Sequence, residues 1–238
     1  MRILADGAKR LRFGLRPSQL KKFRTYLDEL KAARPHLRLT ALTDPEAVQR
    51  RHFLEPLALL AALEEIDALG KTAIDIGSGA GFPGLPIKIV RPTLNLTLLE
   101  ANAKRAAFLE RLVQRLSLER VTVVNDRAEE VAHNPEHREA YELVLARAVA
   151  PLPTLVELTL PFLRLGGVLA APKGSGAPRE AREAAAALRA CGGHVESIHR
   201  LHIPGAETSP TLVIVRKASD TPQRFPRRTG IPAKRPLR

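Results

Sequence analysis

The 238-residue chain has no tryptophan, one cysteine and only 4% aromatic residues. A lone Cys191 excludes an intrachain disulfide and a cysteine-ligated zinc centre. So few aromatic rings leave little from which to build base-stacking platforms. Uncharged apolar runs of membrane-spanning length are missing, so no transmembrane helix is expected. Nor does an apolar run follow Arg2, Lys9 and Arg10, so no secretory leader is expected and the cytoplasm is the simplest location. The G-x-x-x-x-G-K-[ST] pattern occurs nowhere, which excludes a P-loop. His133, His137, His194, His199 and His202 lack ligand spacing with nearby acids, so no metal is expected. Acidic charge is scarce at both ends: residues 1–38 hold 11 Lys and Arg against 3 Asp and Glu, and residues 216–238 hold 8 against 1. The remaining 39–215 carry −2, so the termini hold all of the +13 excess. A near-neutral core with basic ends suits a polyanionic partner, and it also suits a chain that uses its ends for solubility.

What is present in abundance is one glycine-rich stretch, Thr72 to Pro86, TAIDIGSGAGFPGLP. Thr72–Ile76 reads as a buried parallel strand. Gly77, Gly79 and Gly81 follow at alternate positions, and Leu85, Ile87, Ile89 and Val90 then recur at helical spacing. Glycines there permit positive φ and let a ligand touch bare backbone. The helix start is expected to aim unpaired N–H groups at that ligand. The acid Asp75 stands in the loop where a diphosphate would be repelled. S-Adenosylmethionine, with its α-ammonium and sulfonium, fits this loop better than a dinucleotide does. A tight strand-to-helix turn with no ligand is the plainer alternative.

The rest of the chain alternates strand and helix. Residues 1–17 are broken by Gly7, Gly14 and Pro17, so no regular element is expected there. From Ser18, an N-cap candidate, apolar residues recur at helical spacing to Arg34-Pro35. A second helical stretch opens at Thr43-Asp44-Pro45-Glu46 and runs to Gly70, with a break expected at Pro56. Strands are expected at Leu94–Leu99, Val121–Val124, Leu143–Leu145 and Gly167–Ala171. Helices are expected at Lys104–Leu116, Ala128–Ala132, Leu155–Leu163 and Arg179–Cys191. His194–Leu201 and Thr211–Val215 read as a closing antiparallel pair. The pattern predicts an α/β, doubly wound, mostly parallel sheet. The chain then divides into a basic arm and helical cap over 1–70, a core over 71–217 and a basic, Pro-rich tail over 218–238.

Ligands of such sheets lie at the carboxyl ends of the strands. Asp75, Glu100, Asp126, Arg147 and Lys173 all fall there. Glu100 suits ribose hydroxyls, or is a solvated strand-end acid. Ala128 and Glu129 stand where an adenine ring would rest, or simply open a helix. Arg147 lies in Ala-Arg-Ala-Val-Ala-Pro, where amine methyltransferases of bases carry Asn/Asp-Pro-Pro-aromatic, so an exocyclic amine is disfavoured. Cys191 is badly placed for a pyrimidine-carbon nucleophile. A ring nitrogen such as guanine N7 needs neither a base nor a nucleophile, only alignment and electrostatic help. Arg147 would donate to guanine O6 or a phosphate, or form an ion pair with Asp75 or Glu129. Arg51-His52 opens a helix on the amino-terminal side and is open to two readings, a ligand or RNA contact and a packing histidine. Lys173, on a Gly-rich turn, suits a phosphate.

Several segments together resemble the RsmG (GidB) family of small-subunit ribosomal RNA guanine-N7 methyltransferases. They are LTALTDPEAVQRRHFLEPL, DIGSGAGFPGLPIKIVRP, LLEANAKRAAFL, the RAEE of Arg127–Glu130, ARAVAPL, APKG and the tail FPRRTGIPAKRPL. The resemblance runs from Leu39 to the C-terminus. It implies a class I, Rossmann-like, seven-stranded S-adenosylmethionine methyltransferase fold with an N-terminal helical cap, acting as a monomer. It places Gly77, Phe82, Glu100, Ala101, Asn102, Ala128, Glu129 and Arg147 at the cofactor, beside Asp75 and Gly79 of the loop read above. Arg147 is the expected catalytic residue. Arg51, His52, Lys173, Arg227 and Arg228 fall on the RNA side. A same-fold methyltransferase of a small molecule or protein, and an inactive RNA-binding assembly factor, are the rival readings.

Overall fold

The computed structural model describes every residue except Pro35, Arg38, Ala41, Thr43, Glu207 and Arg238. The expected helix end at Pro35 and helix start at Thr43 therefore lie outside the described residues. The amino-terminal third is helical: α1 Arg2–Arg10, α2 Pro17–Ala33, α3 Pro45–Val48 and α4 Glu55–Glu65, with a π-helical turn Gln49–Leu54 joining the last two. Then come β1 Thr72–Ile76, α5 Gly84–Val90, β2 Asn95–Leu99, α6 Ala103–Arg115, β3 Val121–Val124, α7 Ala128–Val131 and β4 Tyr141–Leu145. The chain continues through α8 Leu152–Thr159, β5 Leu163–Lys173, α9 Ala177–Glu183, α10 Ala185–Cys191, β6 Gly193–Arg200, β7 Thr211–Lys217 and α11 Ile231–Lys234.

The seven strands form one sheet in the order β3-β2-β1-β4-β5-β7-β6. Six strands run in one direction, and β7 runs against them, pairing antiparallel with both β5 and β6. The strand order reverses beside β1, so its carboxyl end is a topological switch point. Side chains alternate across the sheet. Ile74 and Ile76 pack with α8 and α10 on one face, while Ala73 packs with the helical cap on the other. Asp75 shares the parity of Ala73, so the cap covers it.

Four elements depart from the sequence expectation. Residues 2–10 form a helix, because Gly7 is an approach point and not a breaker. A Cβ at Gly7 would meet both terminal methyls of buried Leu54 at 2.6 Å. The glycine lets α1 lie against the π turn, burying Leu4 and Ala8. Replacing Gly7 with valine is expected to destabilise the fold by about 1–3 kcal/mol through overpacking, read as a fall in the thermal midpoint. α2 starts one residue before Ser18, with Pro17 at its first position and Arg16 as its cap. Pro56 does not break the second helix; it stands in the first turn of α4, and the chain widens just before it. β5 also extends beyond Gly167–Ala171 at both ends, since its edges are paired to β4 and β7.

Candidate functional site

The loop after β1 is tied down by backbone. Gly77 and Ser78 donate their N–H groups to the Leu99 carbonyl at 2.8 and 3.1 Å. The Ser78 hydroxyl donates to the Asp75 carbonyl at 2.7 Å. Gly77, Gly79 and Gly81 all have positive φ, at 67°, 59° and 98°, a region closed to most side chains. Beside Gly79 a Cβ would meet only the Gly77 carbonyl, at 3.8 Å, so this backbone is open to a ligand.

Two carboxylates frame the loop. Glu100, just past β2, accepts from Gly79 N–H through Oε2 at 2.9 Å and from Asn102 N–H through Oε1 at 2.8 Å. Each oxygen keeps a second lone pair for a ligand hydroxyl. Asn102 also caps α6, accepting from Arg105 N–H at 3.1 Å, which fixes the Ala101-Asn102 corner. Asp75 is fully buried, and its Oδ2 accepts from Gly84 N–H at 2.8 Å. The first amide of α5 is therefore answered by the protein itself and does not face a ligand, contrary to the sequence expectation. Asp75 Oδ1 has no hydrogen-bond partner among the described residues. Burial pushes this carboxyl up to about 7, against the pull of Gly84 N–H and Arg147, and the Glu100 charge adds to the rise. A buried acid oxygen without a partner is a seat for a cation.

Above Asp75 lies a stack of rings. Phe82 is stacked with Tyr26 at 5.2 Å and with His52 at 4.5 Å between centroids. Tyr26 donates from its hydroxyl to the Ala80 carbonyl at 2.6 Å, so α2 holds the glycine loop directly. The Arg147 guanidinium lies 5.2 Å over the Phe82 ring. It donates to the Arg51 carbonyl at 3.0 Å and approaches Glu55 Oε1 at 3.4 Å and His52 Nδ1 at 3.2 Å. The ion-pair partner of Arg147 is thus Glu55, and not Asp75 or Glu129. Glu55, Tyr26 and Thr40, whose Oγ1 lies 2.6 Å from His52 Nε2, were missed by sequence reasoning. The one available signal was an acid three residues after His52 in a segment already singled out.

Other expected contacts are taken up elsewhere. Ala128 and Glu129 do open α7, but Glu129 Oε1 accepts from Gly230 N–H at 2.9 Å, so its carboxylate holds the tail. Lys173 lies 2.8 Å from Glu180 Oε2 and donates to the Ala150 carbonyl at 2.7 Å, which corrects the picture of a lysine extended toward phosphate. Arg227 is gripped by Glu157, a fully buried acid of α8, through its backbone N–H and Nε at 2.8 Å and Nη2 at 2.7 Å. Lys217 is likewise buried, 3.1 Å from Glu139. The basic end is therefore partly neutralised by core acids and packed, whereas Arg51 and Arg228 are exposed. His52 is buried, and burial together with Arg147 and Arg51 brings it down to about 3. It is a neutral imidazole, not a cationic RNA contact.

A switch-point glycine loop, two strand-end carboxylates and the 3-2-1-4-5-7-6 sheet define a class I S-adenosylmethionine-dependent methyltransferase. Solved structures agree on the fold. A SAM-dependent methyltransferase from Aquifex aeolicus matches with a TM-score of 0.55 and 18% identity over 76% of this chain and 97% of that one. Cofactor-bound Rv0187 from MTB matches with a TM-score of 0.58 and 16% identity over 87% and 92%. The pattern of the GidB family, rRNA small subunit methyltransferase G, matches residues 19–209, and the chain belongs to that family. Ribosomal RNA small subunit methyltransferase G of Dehalococcoides mccartyi is 44% identical over the full length of both chains. The protein of that name from Roseiflexus castenholzii is 48% identical over 92% of each. Among the described residues no helix is long and apolar enough to cross a membrane, and no His, Cys, Asp and Glu group could hold a metal ion.

The residues fit S-adenosylmethionine. The partnerless Oδ1 of Asp75 would receive its ammonium and the free lone pairs of Glu100 its ribose hydroxyls. The bare backbone at Gly77 and Gly79 leaves room for its chain. When bound, this cofactor supplies an electrophilic methyl group on a cationic sulfur.

Proposed function

We propose that the chain methylates N7 of one guanine in small-subunit (16S) ribosomal RNA, as a cytoplasmic monomer. Residues 1–70 serve as cap, 71–217 as catalytic core and 218–238 as a tail that completes it. The observation that carries this reading is Arg147, held over Phe82 at the mouth of β4. Among the described residues, the acids and the imidazole nearest that mouth are engaged: Asp75 is buried, Glu55 is paired with Arg147, and His52 accepts from Arg147. Chemistry without a base suits a nitrogen whose lone pair is already free. Cys191 is buried, its thiol pushed up to about 12 by burial with Glu157 adding, so a thiolate route to a pyrimidine carbon is unsupported.

In this reading Phe82, Ala101, Asn102, Ala128 and Glu129 line the cofactor beside Asp75, Glu100 and the loop glycines. Arg147 donates to guanine O6, fixing the ring in line with the methyl group. Exposed Arg51 and Arg228 meet RNA phosphates, so binding weakens steeply with salt. Lys173, Arg227 and His52 act on the RNA only through the shape they give the mouth.

Labelled methyl groups are expected at a single guanine of small-subunit RNA, mapped by borohydride–aniline cleavage. Arg147→Ala should lower incorporation by about 10²-fold or more. Small-subunit particles and deproteinised RNA, assayed separately, identify which form is the substrate. Calorimetric binding of S-adenosylmethionine with no label in either form would overturn the activity and favour an inactive RNA-binding factor.

A further inference from the structure

We infer that His52 is a positioning residue for Arg147, set in place by the π turn that precedes Pro56. The inference rests on the catalytic reading of Arg147 given above. In a regular helix the Arg51 carbonyl would accept from the amide four residues on, that of Glu55. Here Glu55 N–H reaches back one residue further, to the Arg50 carbonyl. The next amide along the wide turn would belong to Pro56, which has none. The Arg51 carbonyl is thereby released, and Arg147 Nη1 donates to it at 3.0 Å.

The same turn supplies the other two acceptors. Glu55 Oε1 lies 3.4 Å from Nη1, and His52 Nδ1 lies 3.2 Å from Nη2. A guanidinium has only protons to offer, so Nδ1 must accept and the imidazole proton sits on Nε2. Nε2–H then donates to Thr40 Oγ1 at 2.6 Å. Thr40 Oγ1 also accepts from Leu42 N–H at 3.1 Å. The ring itself lies on Phe82, with 15° between planes. One chain segment thus holds Arg147 from the side with a carbonyl, an imidazole and a carboxylate, while Phe82 holds it from below. Burial first, then the charges of Arg147 and Arg51, disfavour a second proton on His52, against the opposing pull of the Arg51 backbone.

Two substitutions separate positioning from packing. His52→Phe keeps the stack on Phe82 but removes the acceptor. His52→Asn loses the stack but offers an amide oxygen near the place of Nδ1. Methyl transfer is expected to fall about 10- to 100-fold in His52→Phe, as expected when a reacting group is misplaced, and to recover most of that loss in His52→Asn. The reverse order, with Phe active and Asn poor, would overturn the inference and leave His52 as a packing ring. A readout independent of activity is the histidine tautomer by ¹⁵N NMR of the intact protein. Protonation only at Nε2 from pH 5 to 8 is expected, and an Nδ1–H or doubly protonated ring in that window would overturn the assignment. Failure of wild-type methyl transfer with the expected tautomer counts against the proposed activity, not against the hold on Arg147.

Discussion

Asp75→Asn is expected to weaken S-adenosylmethionine binding by about 10- to 100-fold, the worth of one charge-assisted hydrogen bond of about 1.5–3 kcal/mol. The amide oxygen can still accept from Gly84 N–H, so the loop keeps its shape. What is lost is the negative charge at the second oxygen, Oδ1, which no protein group answers among the described residues. In the cofactor-free protein this carboxyl holds its proton up to about pH 7, because it is buried. The unfolded chain ionises it near pH 4. Asp75 therefore adds no penalty to folding below about pH 4, and the penalty grows until about pH 7. Above that the penalty is full, on the order of 4 kcal/mol. An ammonium seated on Oδ1 removes it. Cofactor affinity of the wild type should rise about tenfold per unit from pH 5 to pH 7 and then level off. The asparagine variant should show no such slope, and at pH 8 its cofactor-free form should melt higher than the wild type. Titration calorimetry across pH 5.5–8.5 checks both, and a variant with wild-type affinity would remove the ammonium from this seat.

Glu157→Ala should be the most destabilising single change in the carboxyl-terminal half. It leaves Arg227 partly buried against a helix with its backbone amide and Nε without their acceptor and its charge without a counter-ion, only the Arg235 carbonyl remaining to Nη2 at 2.7 Å. Breaking one side of such a pair costs about 3–5 kcal/mol, or roughly 10 °C in thermal midpoint for a chain of this size. The effect should extend to the cofactor wall. Arg227 precedes Thr229 and Gly230, which hold Glu130 and Glu129 of α7. Arg138 adds to the grip by donating to the carbonyls of Thr221 and Phe225 at 2.7 and 3.0 Å. Early protease cleavage between residues 218 and 238 should accompany the loss. A midpoint within a degree of wild type would show that the tail closes without this pair.

Much of the sheet was legible because parallel strands announce themselves as short apolar runs ending in acids or glycines. Asp75 and Glu100 were found from that position alone, and the structure puts both against the glycine loop. What sequence did not give was the use of charges over long separations. Arg227 belonged to a basic run, and nothing local said that Glu157 would claim it across 70 residues. The hint lay in Glu157 itself, an acid alone in the apolar stretch LPTLVELT. The N-terminal helix is not legible because Gly7 reads as a breaker, whereas it marks where α1 approaches Leu54. The neutral state of His52 is not legible in any local pattern; it follows from burial beside Arg147.

Gly230 meets Glu129 across 101 positions of chain, and this sets an order in time for synthesis. A ribosome delivers residues from the N-terminus at about 5–20 per second, so the strands β1 to β6 are made before the segment that braces α7. The wall of the pocket formed by α7 receives its brace only once residue 230 has emerged. A chain cut short by a late stop codon would therefore keep its strands in order and lack the part that closes them around the methyl donor.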